Sequence, residues 1–215
     1  MPQLVHQGAY FVGYPATGFG GYDPLDPDCL SALEQLGRAL AGALAQFFKT
    51  SLDGFARSFL GTMPTRVGIR ESRRIVGRAT LSASDLLEGA SPPESVAFAT
   101  WPMELRERTS GPRLRFPETE APCGIPMGCL MADEMPGLFA AGRCISATHE
   151  AQASIRVIGT CLATGEAAGL AAAHMASLPI GTPDAPLDPR ALARRVNDLR
   201  DEVIRPDEND ARFAG

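Results

Sequence analysis

The sequence has 215 residues, of which 45% are hydrophobic and 21% charged, the balance of an ordinary globular chain and not of a disordered, collagenous or membrane-spanning one. Twenty basic residues against twenty-five acidic ones leave a net charge of -5, so the molecule offers no attractive field to nucleic acid or an anionic membrane, and neither is expected as a partner. Lys49 is the only lysine and follows Phe48, which excludes a P-loop because that loop needs Gly directly before its Lys.

In chain order, residues 1–30 are rich in Gly, Pro, Tyr and Asp and carry neither helical nor alternating periodicity, so they are expected to be irregular. The opening MPQLVHQGAYFVGYPATGFGG has no basic region followed by an apolar run, so neither signal nor anchor is expected and the chain is assigned to the cytoplasm. From Cys29 to Phe48, the residues Leu30, Leu33, Leu36, Leu40, Leu44 and Phe47 recur three or four apart, one face of an amphipathic helix. The run TRVGIRESRRIVGRATLS, Thr65 to Ser82, alternates imperfectly and predicts strand broken by a polar turn. Ser82 and Asp85 have capping-box spacing, which opens a short helix through Leu86 and Leu87 that Gly89 stops.

The proline-punctuated stretch that follows predicts loop and short strand. Leu138 to Ala141, bounded by Gly137 and Gly142, predicts a buried strand feeding a tight turn. A long Ala- and Gly-rich helix is expected from near Ser154 to about Ala176, with Gly165 and Gly169 one turn apart on a smooth face. Glu166 in its middle and His174 near its end favour a buried helix over a membrane span. A last helix is predicted to start at the Asp188–Pro189 cap, to continue through Leu192, Val196, Leu199 and Val203, and to end before Pro206. These elements group into residues 1–62, an irregular segment plus helix; 63–121, mixed strand and loop; 122–180, strand, turn and helix; and 181–215, helix and tail.

Cys29, Cys123, Cys129, Cys144 and Cys161 are odd in number and include no CxxC pair, so neither a disulfide framework nor a metal site is expected. His149 and Glu150 do not form a zinc motif, because Ala153 stands four residues after the histidine. The order strand, glycine turn, helix N-terminus directs free N–H groups and the positive end of a helix dipole at anything approaching the strand end. Here the turn is Ala141, Gly142 and Arg143, and the expected helix opening is Ser154, Ile155, Arg156 and Val157. Either a ligand site or plain strand-to-helix packing satisfies that arrangement. Among Arg70, Arg73 and Arg74, strand alternation turns one inward, to bind a carboxylate, or leaves all three on a solvated face. Cys144, next to Arg143, is either a redox thiol or a small apolar residue.

GIRESRRIVG, residues 68–77, and AGRCISATHEAQASIRVIGTCLATGEAAG, residues 141–169, closely resemble the C-terminal half of FAD-dependent oxidoreductases of the two-dinucleotide-binding-domain flavoprotein group. The resemblance extends over about residues 64–204. It implies an α/β chain with an incomplete FAD-binding (Rossmann-like) flavoprotein fold, the C-terminal portion with part of the substrate domain. It further implies FAD as cofactor, a small-molecule substrate and hydride transfer to the flavin. Ala141, Gly142 and Arg143 would approach the FAD chain, and Ser154, Ile155, Arg156 and Val157 the flavin carbonyl edge. His149 would face the substrate as acid or base, unless it only fixes the loop, and Arg73 would bind a substrate carboxylate. The GxGxxG turn of that group is missing, since Gly18, Phe19 and Gly20 lead to Asp23 with no strand before or helix after. A second polypeptide supplying the diphosphate-binding half is therefore expected, unless the chain is a truncation or a degenerate copy. The alternative to an enzyme subunit is a non-catalytic assembly module that keeps the fold.

Overall fold

The computed structural model describes residue 23 and residues 25–105, 112–179 and 188–204. The chain divides into two units, Met1–Ser72 with Arg106–Arg113, and Arg73–Leu105 with Leu114–Gly215.

In the first unit Asp26 accepts a hydrogen bond from the Asp28 N–H at 2.9 Å and Pro27 fills the first helical position, which together start helix α1, Pro27–Ser51. The predicted helix is present and extends past both expected ends. Only Leu33 on its apolar face is buried, packing with Val67 and Ile69, and the Val67 N–H donates to Glu34 Oε1. Leu40, Leu44 and Phe47 of the same face stay exposed.

In the second unit the segment expected as strand before Ser82 is extended but forms no ladder. Its backbone donors go singly to different partners: Ile75 N–H to Cys144 O at 2.9 Å, Arg78 N–H to Met131 O at 3.1 Å, Ala79 N–H to Gly128 O at 3.1 Å and Leu81 N–H to Ser146 O at 3.1 Å. Repeated pairing with one neighbour is what makes a strand, and here the neighbours change. Helix α2, Ala83–Glu88, has the predicted reciprocal Ser82–Asp85 capping box and ends at Gly89 in the left-handed conformation.

Strand β1, Ser95–Ala99, pairs antiparallel with a later strand, Cys123–Pro126, and a register irregularity falls between Ser95 and Ala97. Between them β2, Met103–Leu105, pairs with β3, Arg113–Arg115, so the Cys123–Pro126 strand is β4. The strand expected over Leu138–Ala141 reduces to one bridge, Met131 to Phe139, held by the Ala132 N–H to Leu138 O and Ala140 N–H to Leu130 O bonds; among the described residues no second strand lies alongside, and Leu138 is exposed where a buried strand is expected.

The single long helix expected from Ser154 is two helices, α3, His149–Ile155, and α4, Ile158–Ser177, that meet at a 95° bend. Arg156 closes α3 and Val157 is extended. Two anchors hold the break: Ser154 Oγ donates to Trp101 O at 2.5 Å and the Arg156 guanidinium to Glu104 O at 2.7 Å. The adjacent β-branched Val157 and Ile158 oppose continuation through the corner. No single described helix is long and apolar enough to cross a membrane. Helix α4, expected to be buried, is buried on one face, along Thr160, Thr164, Ala167 and Ala171, while Ile158 and Leu162 are 80% and 69% exposed.

Helix α5, Pro189–Ile204, starts as predicted, with Asp188 Oδ2 accepting from the Ala191 N–H at 3.0 Å. Leu192, Ala193 and Val196 enter a core built on Val96, Ile125, Met127, Leu130, Ile145 and Ile155. Arg200 donates to Val96 O, to Ala163 O at 3.0 Å and to Glu166 Oε2 at 2.8 Å, so one guanidinium ties α5 to β1 and α4. Replacing Arg200 by Met leaves those two carbonyls without this donor, and thermal unfolding is expected to show a loss of about 1–3 kcal/mol.

Candidate functional site

Residues 140–164 of the second unit bring most of the predicted site into one neighbourhood. The backbone turns at Gly142, whose φ of +70° is left-handed, and a short 3-10 turn runs through Gly142–Cys144. The Gly142 N–H donates to Thr164 Oγ1 at 3.0 Å. Thr164, fully buried, in turn donates to Thr160 O at 2.9 Å within α4, so the turn is fastened to that helix. Thr164 is a positioning residue that sequence reasoning missed; its only signal is a hydroxyl in the middle of an Ala- and Gly-rich helix.

Arg143 is exposed at the turn, and Ala141 is half-buried as its entry residue. Cys144 O accepts the Ile75 N–H, which brings the segment carrying Arg73 to the same turn; Arg73 itself is exposed. His149 occupies the first position of α3 behind the Thr148 cap, whose Oγ1 accepts the Ala151 N–H at 3.3 Å, and it is half-buried.

The four residues expected to open one helix separate into two groups. Ser154 and Ile155 are buried in the last turn of α3, with the serine hydroxyl committed to Trp101 O. Arg156 is the C-cap, its guanidinium bonded to Glu104 O and, at 3.4 Å, to Gln152 Oε1. Val157 is the N-cap of α4 and makes no side-chain cap. The helix N-terminus of this neighbourhood is therefore that of α4, at Val157, Ile158 and Gly159. The N-cap side chain makes no hydrogen bond to the first-turn N–H groups there, and among the described residues nothing lies within 4 Å of a Cβ added at Gly159.

Cys144 Sγ donates to Ala141 O at 3.3 Å, and the thiol is exposed. Burial raises the Cys161 pKa, an effect the nearby Arg143 charge partly offsets. In the core, burial pushes Cys123 up to about 11 and Cys129 up to about 12, with Asp85 adding to both. These two thiols stay neutral at pH 8, so a disulfide reagent is expected to modify Cys144 in the folded chain and to reach Cys123 and Cys129 only on unfolding. A thiol whose folded pKa is raised stabilises the fold below 9.0 and loses that contribution as pH climbs toward 11 and 12, so the unfolding temperature is expected to fall above pH 9 and less so in Cys129→Ala. Among the described residues no three His, Cys, Asp or Glu side chains gather as a metal site.

The family model for FAD dependent oxidoreductases matches residues 11–195. The chain belongs to this family. Its members are flavoproteins with a Rossmann-like α/β fold, and FAD is the cofactor the family implies. No curated protein and no solved structure matches the chain. The residues present fit such a group through the chemistry of their donors: an α4 N-terminus without a side-chain cap, a left-handed glycine turn and the exposed Arg143 would suit an electron-rich ligand. The glycine cluster of residues 13–22 lies outside the described residues.

Proposed function

We propose that this chain is the flavin-proximal part of an FAD-dependent oxidoreductase whose diphosphate-binding half comes from a second polypeptide. FAD, when bound, would supply the hydride-accepting chemistry toward a carbon of a small-molecule substrate. The observation that carries the reading is the Gly142 turn bonded to α4 through Thr164, inside a family match that spans most of the chain. Ala141, Gly142, Arg143 and Val157 hold the cofactor, with backbone N–H groups at the start of α4 stabilising negative charge at the flavin carbonyl edge. Ser154, Ile155 and Arg156 act indirectly, by fixing the corner between α3 and α4. His149 is the candidate acid or base and Arg73 the candidate partner of a substrate carboxylate.

The second reading, a non-catalytic assembly module, draws on the exposed Ile158 and Leu162 beside the open Gly165 and Gly169 on α4. Visible absorption of the chain purified from its native host, with companion proteins retained, separates the two. A flavin spectrum accompanied by a second polypeptide is expected. A folded, colourless chain with a tightly bound partner supports the assembly module, and a flavin held by the chain alone overturns the split.

A further inference from the structure

The first unit forms a half-open pocket of about 300 Å³ between α1 and the segment that follows it, within the size range of small-molecule sites. Ala41, Leu44, Phe48, Phe55, Leu60 and Met63 line it, and the Phe48 and Phe55 rings lie 5.5 Å apart at 45°. Lys49, Arg57 and Arg66 also line it, and among the described residues none of the three makes a hydrogen bond or an ion pair. The one acid in the lining, Glu34, is already engaged by the Val67 N–H and lies 4.0 Å from Arg38. An apolar chamber rimmed by uncompensated cations complements one kind of occupant, a molecule with an apolar body and an anionic head.

We propose that this pocket binds a medium-length apolar monocarboxylate, its chain against the Leu44 and Phe48 side of α1 and its carboxylate at Arg57 and Arg66. The same feature accounts for Leu44 standing outside the Leu33–Val67 core: it lines a site and not a packed interior. The proposal does not rest on the flavin reading, because every residue it uses belongs to the first unit.

Calorimetric titration of the full chain with decanoate, decanol and decyltrimethylammonium tests it, with methyl-labelled methionine reporting the place of binding. Saturable decanoate binding is expected, about tenfold tighter than decanol, weakened by added salt, absent for the cationic amphiphile, and shifting the Met63 methyl signal but not that of Met103. The double variant Arg57→Ala, Arg66→Ala is expected to lower decanoate affinity to that of decanol while leaving decanol unchanged. Ala45→Trp, which fills the chamber, is expected to abolish both; the charge variants carry the test by themselves if that helix substitution unfolds the chain. Absence of saturable decanoate binding, equal affinity for all three amphiphiles, or full decanoate affinity in the double variant overturns the proposal.

Discussion

Gly77→Ala is expected to destabilise the second unit strongly, because the added methyl meets backbone on two sides. A Cβ at this position stands 2.6 Å from Ser146 Cβ, 2.9 Å from Gly128 O and 3.0 Å from Ala79 O, and two of those atoms are backbone. Three chain segments meet there. Gly77 bridges to Ala132, the Ala79 N–H donates to Gly128 O, and the Ser146 N–H donates to Cys129 O at 2.9 Å. Relief in one direction tightens another contact, so the substitution is expected to cost about 1–3 kcal/mol or more. Each kcal/mol corresponds to roughly 2–4 °C in unfolding temperature for a chain of this size. Gly165→Ala is the matched control, since nothing lies within 4 Å of its added carbon on α4; there the same chemical change is expected to stabilise by about 0.5–1 kcal/mol. Two parallel thermal melts check both, and a Gly77→Ala protein that melts with the wild type would refute the crossing.

Gly142→Val is expected to have the largest effect on cofactor retention. A non-glycine residue at φ of +70° carries a cost of about 1–2 kcal/mol, and a β-branched one fits that region worst. The new side chain would also begin 3.4 Å from Cys161 Sγ and press the turn away from α4, breaking the Gly142–Thr164 bond. The complete assembly carrying this variant is expected to lose its flavin, measured as the ratio of visible to protein absorbance. Gly142→Asn, which tolerates the left-handed region, is expected to keep much more. Normal flavin content in the valine variant would remove the turn from the cofactor site.

Helices that announce themselves by caps were legible in the sequence. Ser82 with Asp85 and Asp188 with Pro189 each start a helix at the expected place, because a cap is satisfied by residues two or three positions away, whereas the leucine spacing that places the first helix from Cys29 passes over its Asp26–Pro27 cap. What local chemistry leaves open is where long-range partners lie. The segment before Ser82 has strand composition but finds a new acceptor every few residues, and Leu138–Ala141 meets only the short run Leu130–Ala132 in a single bridge. The corner at Arg156 and Val157 escaped notice for the same reason, since it depends on carbonyls of Trp101 and Glu104 more than fifty positions away. That corner also moved the helix N-terminus from Ser154 to Val157, so the neighbourhood of the site was legible and its inner geometry was not. The glycine of the turn stood out at once; the threonine that fastens it did not, because one hydroxyl in a helix has many bland explanations.

The Arg200 clamp sets an order of events during synthesis. Its acceptors, Val96 in β1 and Ala163 in α4, both leave the ribosome before α5 does, and the core residues Leu192 and Val196 arrive with the clamp. Until that helix emerges, the β1–β4 pair and the inner face of α4 lack both their apolar cover and their tie. The second unit therefore cannot complete its folding before α5 has emerged, and a ribosome stalled within α5 is expected to hold a protease-sensitive nascent chain that becomes resistant once Arg200 has cleared the exit tunnel.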